Sequence, residues 1–177
     1  MKYLIMCEGP NELAIIDILL ENDLLSLKED DLLGLRAYHA RQISTSTAVK
    51  LDLNIYPDND VCNLRIGDTL TDKLSIPADY SKKIVEVKKY CTKPELEMLL
   101  IIAEGLLKEY NKNKSTIQPK EFAKTEISYN GKKYDNSSDF YKKYFGDRTD
   151  LLVKSIKEYK RLKRHRKGEL FLADLLK

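Results

Sequence analysis

The stretch Tyr3-Leu4-Ile5-Met6-Cys7-Glu8-Gly9-Pro10-Asn11-Glu12 restricts the fold more than any other part of the chain. An apolar run of the kind that forms a buried strand stops at a carboxylate, turns on a glycine and meets a proline where a helix would begin. The following residues carry an apolar stripe through Ile15, Ile16, Leu19 and Leu20, which is helical spacing. Strand, glycine turn and helix in this order open a parallel βαβ unit. They set Glu8 at the carboxyl edge of the sheet, where open α/β sheets place their ligands. Glu12 follows one helical turn later, so Glu8 and Glu12 share one mouth. Two carboxylates in that position point to a divalent cation without naming a reaction.

Further along, the pattern predicts strands over residues 3–7, 35–39, 61–66 and 83–90, with a first helix over 11–25. Residues 42–56 are ambiguous. Thr45-Ser46-Thr47 suits a helix cap, while Val49, Leu51, Leu53 and Ile55 alternate like a strand; a helix or irregular crossover is the preferred reading. Thr92, Pro94 and Glu95 have the spacing of a cap, first-turn proline and capping box, and they predict a helix running to about Tyr110. Residues 120–146 show little periodicity and read as an insertion on the sheet. A basic helix is expected over 150–167 and a short apolar one over 169–176. The order of elements predicts a mainly parallel, three-layer α/β domain over 1–110, with 111–177 as an insertion and C-terminal helical extension packed on it.

A chain of 177 residues with 42% apolar and 33% charged residues can bury a real core. The net charge of +3 does not by itself imply a nucleic-acid partner, but its distribution is compatible with a phosphate-bearing one: between Lys154 and Lys167 stand eight Lys/Arg and one acid, Glu158, a run whose plainer reading is a solvated helix face. Three separated cysteines, Cys7, Cys62 and Cys91, read as reduced buried thiols. With two histidines far apart and no CxxC pair, a structural zinc site is not expected. The N-terminus lacks the features of a signal peptide, and no apolar run approaches a membrane span. A cytoplasmic protein is therefore expected, with no membrane partner.

The carboxylates fall into three groups: Glu8 and Glu12, Asp68 and Asp72, Glu95 and Glu97. The first two groups follow predicted parallel strands, and the third opens a helix that follows one. Mg²⁺ takes oxygen ligands and is held by a few carboxylates with water and phosphate. Phosphodiester hydrolysis needs that arrangement beside a basic surface. Each group also has a plainer reading. Glu8 could be a solvated loop residue, Asp68 and Asp72 could bond to a turn and a helix, and Glu95 could close a capping box. The tyrosines between 129 and 144 could simply pack.

On these residues the sequence resembles the Toprim domain, the topoisomerase-primase module, whose first strand ends in Glu-Gly as at Glu8-Gly9. The Toprim domains of overcoming-lysogenization-defect nucleases carry a second acid four positions on, which Glu12 matches. The family's Asp-x-Asp element is matched at Asp68; Leu70 stands where the second acid belongs, and the next acid is Asp72. Pro94-Glu95-Leu96-Glu97 resembles a run in small stand-alone Toprim-like proteins, often encoded near phage-defence systems, with Glu97 as the matching acid.

The resemblance covers about residues 1–110. It implies a Rossmann-like sandwich and a Mg²⁺- (or Mn²⁺-) dependent nuclease or nuclease subunit. In that scheme Glu8 binds metal or acts as general base, and Glu12, Asp68, Asp72 and Glu97 are ligands. Lys93 offsets phosphate charge, and Lys160, Arg161, Lys163, Arg164, Arg166 and Lys167 hold nucleic acid. Glu8 is expected to face solvent. No Walker A loop is present, so an ATP-driven step would need a partner ATPase. The departure at Leu70 keeps open a catalytically degenerate scaffold that binds nucleic acid or a partner protein. A Rossmann-like small-molecule enzyme ranks last, for want of a G-x-G-x-x-G loop.

Overall fold

The computed structural model describes residues 1–68, 73–93, 95–163 and 170–177. In chain order the elements are β1 (Lys2–Cys7), α1 (Pro10–Glu21), β2 (Leu32–His39), α2 (Thr47–Ile55), β3 (Val61–Gly67), β4 (Ile84–Cys91), α3 (Met98–Ala103), α4 (Leu107–Asn113), α5 (Pro119–Glu126), β5 (Ser128–Tyr129), β6 (Lys132–Lys133), α6 (Ser138–Phe145), α7 (Thr149–Leu162) and β7 (Leu170–Phe171). Five strands form one sheet in the order β2-β1-β3-β4-β7, with every pairing parallel. Helices cover both faces. The protein is an α/β sandwich of Rossmann-like type.

The topology locates the functional edge. From β1 the chain steps outward to β2, then returns past β1 to β3, which puts α1 and α2 on opposite faces of the sheet. The switch point therefore falls between the carboxyl ends of β1 and β3. Cys7 stands opposite Ile66, and the Glu8 N–H donates to the Ile66 carbonyl at 2.9 Å. Glu8 and Asp68, the first residues after these two strands, flank that point.

Strand alternation divides the core. Ile5, Cys7, Cys62, Leu64 and Ile66 face a large cluster built by α1, α3, α5, α6 and α7. Leu4, Met6 and Val61 face a smaller one closed by Val49 and Leu53 of α2 and by Tyr80. Every residue of β3 is buried, as expected of a central strand covered on both sides. α1 starts as its sequence predicts, with Gly9 extended at the cap and Pro10 in the first turn. Residues 47–55 are helical, and the Ser46 hydroxyl accepts from the Val49 N–H at 3.3 Å.

Three elements depart from the expectation. The helix predicted from Thr92 to Tyr110 begins at Met98 and is broken into α3 and α4 at Gly105, whose φ is +71°. Residues 120–146 are not irregular: they hold α5, a two-residue hairpin turning on Asn130-Gly131, and α6. The C-terminal apolar segment supplies β7 followed by a single 3₁₀ turn, Leu172–Asp174, instead of an α-helix. Tyr90 and Cys91 pair with Leu170 and Phe171, and Phe171 packs edge-on to Tyr159 of α7. Two residues are too few to show a strand period. The three cysteines are buried, and none forms a disulfide. Among the described residues no helix is long and apolar enough to cross a membrane.

Candidate functional site

Glu8 does not face solvent. It is 7% exposed and forms an ion pair with Arg65 of β3 at 3.1 Å, with Arg65 itself 3% exposed. Arg65 also reaches the Arg41 carbonyl at 3.4 Å, and Arg41 Nε donates to the Glu8 carbonyl at 3.2 Å. Gly67 is required beside them, because a Cβ there would collide with the Glu8 carboxylate. A buried guanidinium fitted to a buried carboxylate is held chiefly by the cost of leaving either charge alone.

On the α1 side of the same edge lies a cavity of about 180 Å³ lined by Asn11, Glu12, Asp68, Glu95, Leu96, Glu97, Lys120 and Asn136. Four carboxylates from three separate segments meet here: the first turn of α1, the end of β3 and the loop before α3. Burial pushes the Glu12 carboxyl above the usual range. A bond from its own backbone N–H opposes this, and the charges of Asp68, Glu97 and Glu8, in falling order, raise it further. Burial also raises Glu95; the Lys120 N–H and side chain lower it, while Glu97 and Asp68 raise it. Among the described residues, the charged groups lining the cavity are four carboxylates and one lysine, Lys120.

Two of the lining residues, Lys120 and Asn136, come from the region after residue 110, and further contacts from that region hold the others. Glu95 does not box its own helix. Its Oε2 accepts from the Lys120 N–H at 2.7 Å, so it caps the N-terminus of α5, 25 residues on, where a carboxylate is favoured. Glu97, 5% exposed, accepts from the Tyr134 hydroxyl at 2.7 Å. Asn11 Nδ2 donates to Asn136 Oδ1 at 3.2 Å, and Asn11 Oδ1 is buried with no hydrogen-bond partner among the described residues. Asn11, Lys120 and Asn136 were not expected at the site from sequence, and Tyr134 was read with its neighbouring tyrosines as a packing residue. Asn11 adjoins Glu12, and Pro119 marks a helix start beside Lys120, so these two had local signals. Tyr134 and Asn136 had none.

Of the residues expected at the site, Glu12, Asp68 and Glu97 line one cavity, joined by Glu95. Glu8 adjoins them but is engaged by Arg65. Lys93 is half-buried, with its N–H toward Cys91 Sγ at 3.3 Å, and is not among the lining side chains. Asp72, Arg164, Arg166 and Lys167 lie outside the described residues. Lys160 pairs with Asp174, Arg161 makes two bonds to Glu158 at 2.7 and 2.8 Å, and Lys163 follows the last turn of α7. The described part of the basic helix is thus partly neutralised by its own surroundings. Among the described residues, no three His, Cys, Asp or Glu side chains stand close enough to hold one metal ion as a group. No protein-family model, no curated protein and no solved structure matches the chain.

Proposed function

We propose that the protein is a Toprim-like, Mg²⁺- or Mn²⁺-dependent phosphoryl-transfer protein, a nuclease or nuclease subunit acting on nucleic acid, with a place in phage defence. The observation that carries this reading is the convergence of four carboxylates, Glu12, Asp68, Glu95 and Glu97, from three segments on one cavity at the switch point of a parallel sheet. The donors are all oxygen, including Asn11 Oδ1, unpartnered among the described residues, which suits a hard cation. With no ready three-residue group, the ion would be held by one or two of these carboxylates, with water and phosphate completing its shell, as Mg²⁺ commonly is. Asp68 and Glu97 are the assigned holders, with Glu12 beside them.

A bound divalent cation would offset charge on the phosphoryl oxygens. Lys120, on the cavity wall, is assigned the role expected of Lys93, balancing the charge of the phosphate. Glu12, on the cavity wall with its proton affinity raised by burial, is assigned the role of proton acceptor. Glu8 orders the edge through Arg65 and is not assigned a proton-transfer role. An ATP-driven step would come from a partner ATPase.

The buried Glu8–Arg65 pair favours a second reading, in which the scaffold keeps its sheet edge but binds nucleic acid or a partner protein without cutting. Calorimetric titration of Mn²⁺ and Mg²⁺ into the wild type and the Asp68→Asn, Glu97→Gln double variant separates the two. The metal reading expects binding that the double variant loses, followed by metal-dependent cleavage of single- or double-stranded DNA or RNA. A wild type that binds neither ion refutes it and leaves the binding scaffold.

A further inference from the structure

The Tyr134 hydroxyl lies 2.7 Å from Glu97 Oε1, 3.2 Å from Asn136 Oδ1 and 3.3 Å from the Tyr141 hydroxyl. A phenol has one proton to give. The shortest contact is also the charge-assisted one and takes that proton, so Tyr134 donates to Glu97 and Tyr141 donates in turn to Tyr134. All three groups are buried: Glu97 is 5% exposed, Tyr134 2% and Tyr141 0%. Burial, and then the Glu97 charge, push both phenols well above their ordinary values, which keeps their protons on oxygen.

Glu97 shares its cavity with Glu12, Asp68 and Glu95. Their repulsion favours any rotamer that carries Glu97 away, and a buried carboxylate without a donor is costly. We propose that Tyr134 is a positioning residue that fixes the Glu97 carboxylate in the cavity against this repulsion, with Tyr141 of α6 behind it. Asn136 plays the matching part for Asn11. Its backbone is left-handed, φ +61°, a conformation asparagine tolerates better than most residues, and this turns its side chain toward Asn11 Nδ2. The loop from Tyr134 to Asn136 thus braces two site residues at once. The contribution to metal binding rests on the function proposed above, whereas the hydrogen bond to Glu97 does not.

The test uses the full chain as wild type, Tyr134→Phe and Glu97→Gln. Phenylalanine keeps the ring contacts of Tyr134 with Phe140 and Tyr141, centroids 5.2 and 5.8 Å apart, so the fold is retained. Proton NMR of the metal-free wild type should show a downfield, slowly exchanging hydroxyl proton that vanishes in Tyr134→Phe and moves upfield in Glu97→Gln. Mn²⁺ affinity should fall about 10- to 100-fold in Tyr134→Phe with little change in melting temperature, the usual cost of removing a group that orients a ligand. A hydroxyl proton indifferent to Glu97→Gln overturns the proposal, as does Tyr134→Phe protein that binds Mn²⁺ like the wild type. If the wild type binds no Mn²⁺ while the proton still responds to Glu97→Gln, the positioning contact stands and the metal reading fails.

Discussion

The carboxyl edge of the sheet holds two kinds of acid, and they are handled in opposite ways. On the α2 side, Glu8 is paired with Arg65, both are buried, and the missing side chain of Gly67 leaves space for the Glu8 carboxylate. On the α1 side, Glu12, Asp68, Glu95 and Glu97 crowd one cavity whose wall offers Lys120, a helix N-terminus and a tyrosine hydroxyl. Paired buried charge is what a fold builds to hold itself together. Carboxylates crowded on one cavity are what a site for a cation looks like, because folding alone gains nothing from the repulsion. The acid most suggestive in sequence, Glu8, turns out to be the more structural of the two kinds.

That contrast can be broken most forcefully at Arg65. Arg65→Met leaves Glu8 buried without its partner and should cost about 3–5 kcal/mol by urea unfolding. Adding Glu8→Gln to it should recover a large part of the loss. A cost below about 1 kcal/mol would mean the pair is no more than a surface contact. Next in size is Gly67→Ala, whose Cβ must displace the Glu8 carboxylate; about 1–3 kcal/mol is expected, as for overpacking, and less if the carboxylate swings freely.

The smallest effect has the opposite sign. Glu12 holds its proton more tightly folded than unfolded, so its favourable contribution is present below the ordinary value of 4.5 and is lost as pH rises through the raised folded value. Glu12→Gln should therefore stabilise the protein at pH 7, by about 2–4 °C in melting temperature, and leave it unchanged near pH 4. Destabilisation at pH 7 would place Glu12 with Glu8 among the structural acids.

Much of this edge was legible in the sequence. The Glu8-Gly9-Pro10 turn between an apolar strand and an amphipathic helix is a local signal, and so is Val61 to Asp68. Together they placed Glu8, Glu12 and Asp68 at one end of a parallel sheet. Burial of Glu8 was not legible, because its partner lies 57 residues away on a strand that reads as an ordinary apolar run. Glu95 misled for a related reason. Its spacing from Thr92 matches a capping box, yet its carboxylate accepts from Lys120, and the Thr92 hydroxyl is buried without a partner among the described residues. Local spacing proposes a bond, and packing decides which donor is within reach.

The amino-acid sequence alone determined the parallel α/β class, the β1-turn-α1 opening and the carboxylates at two strand ends, since all three depend on residues within one or two turns of each other. Tertiary structure alone decided which acids are paired and which are crowded, that Lys120 and Asn136 wall the cavity, and that Leu170–Phe171 adds a strand to the sheet. Those outcomes depend on contacts between segments far apart in the chain. Their energies come from burial and from charges a few ångströms apart, which no short window of sequence contains.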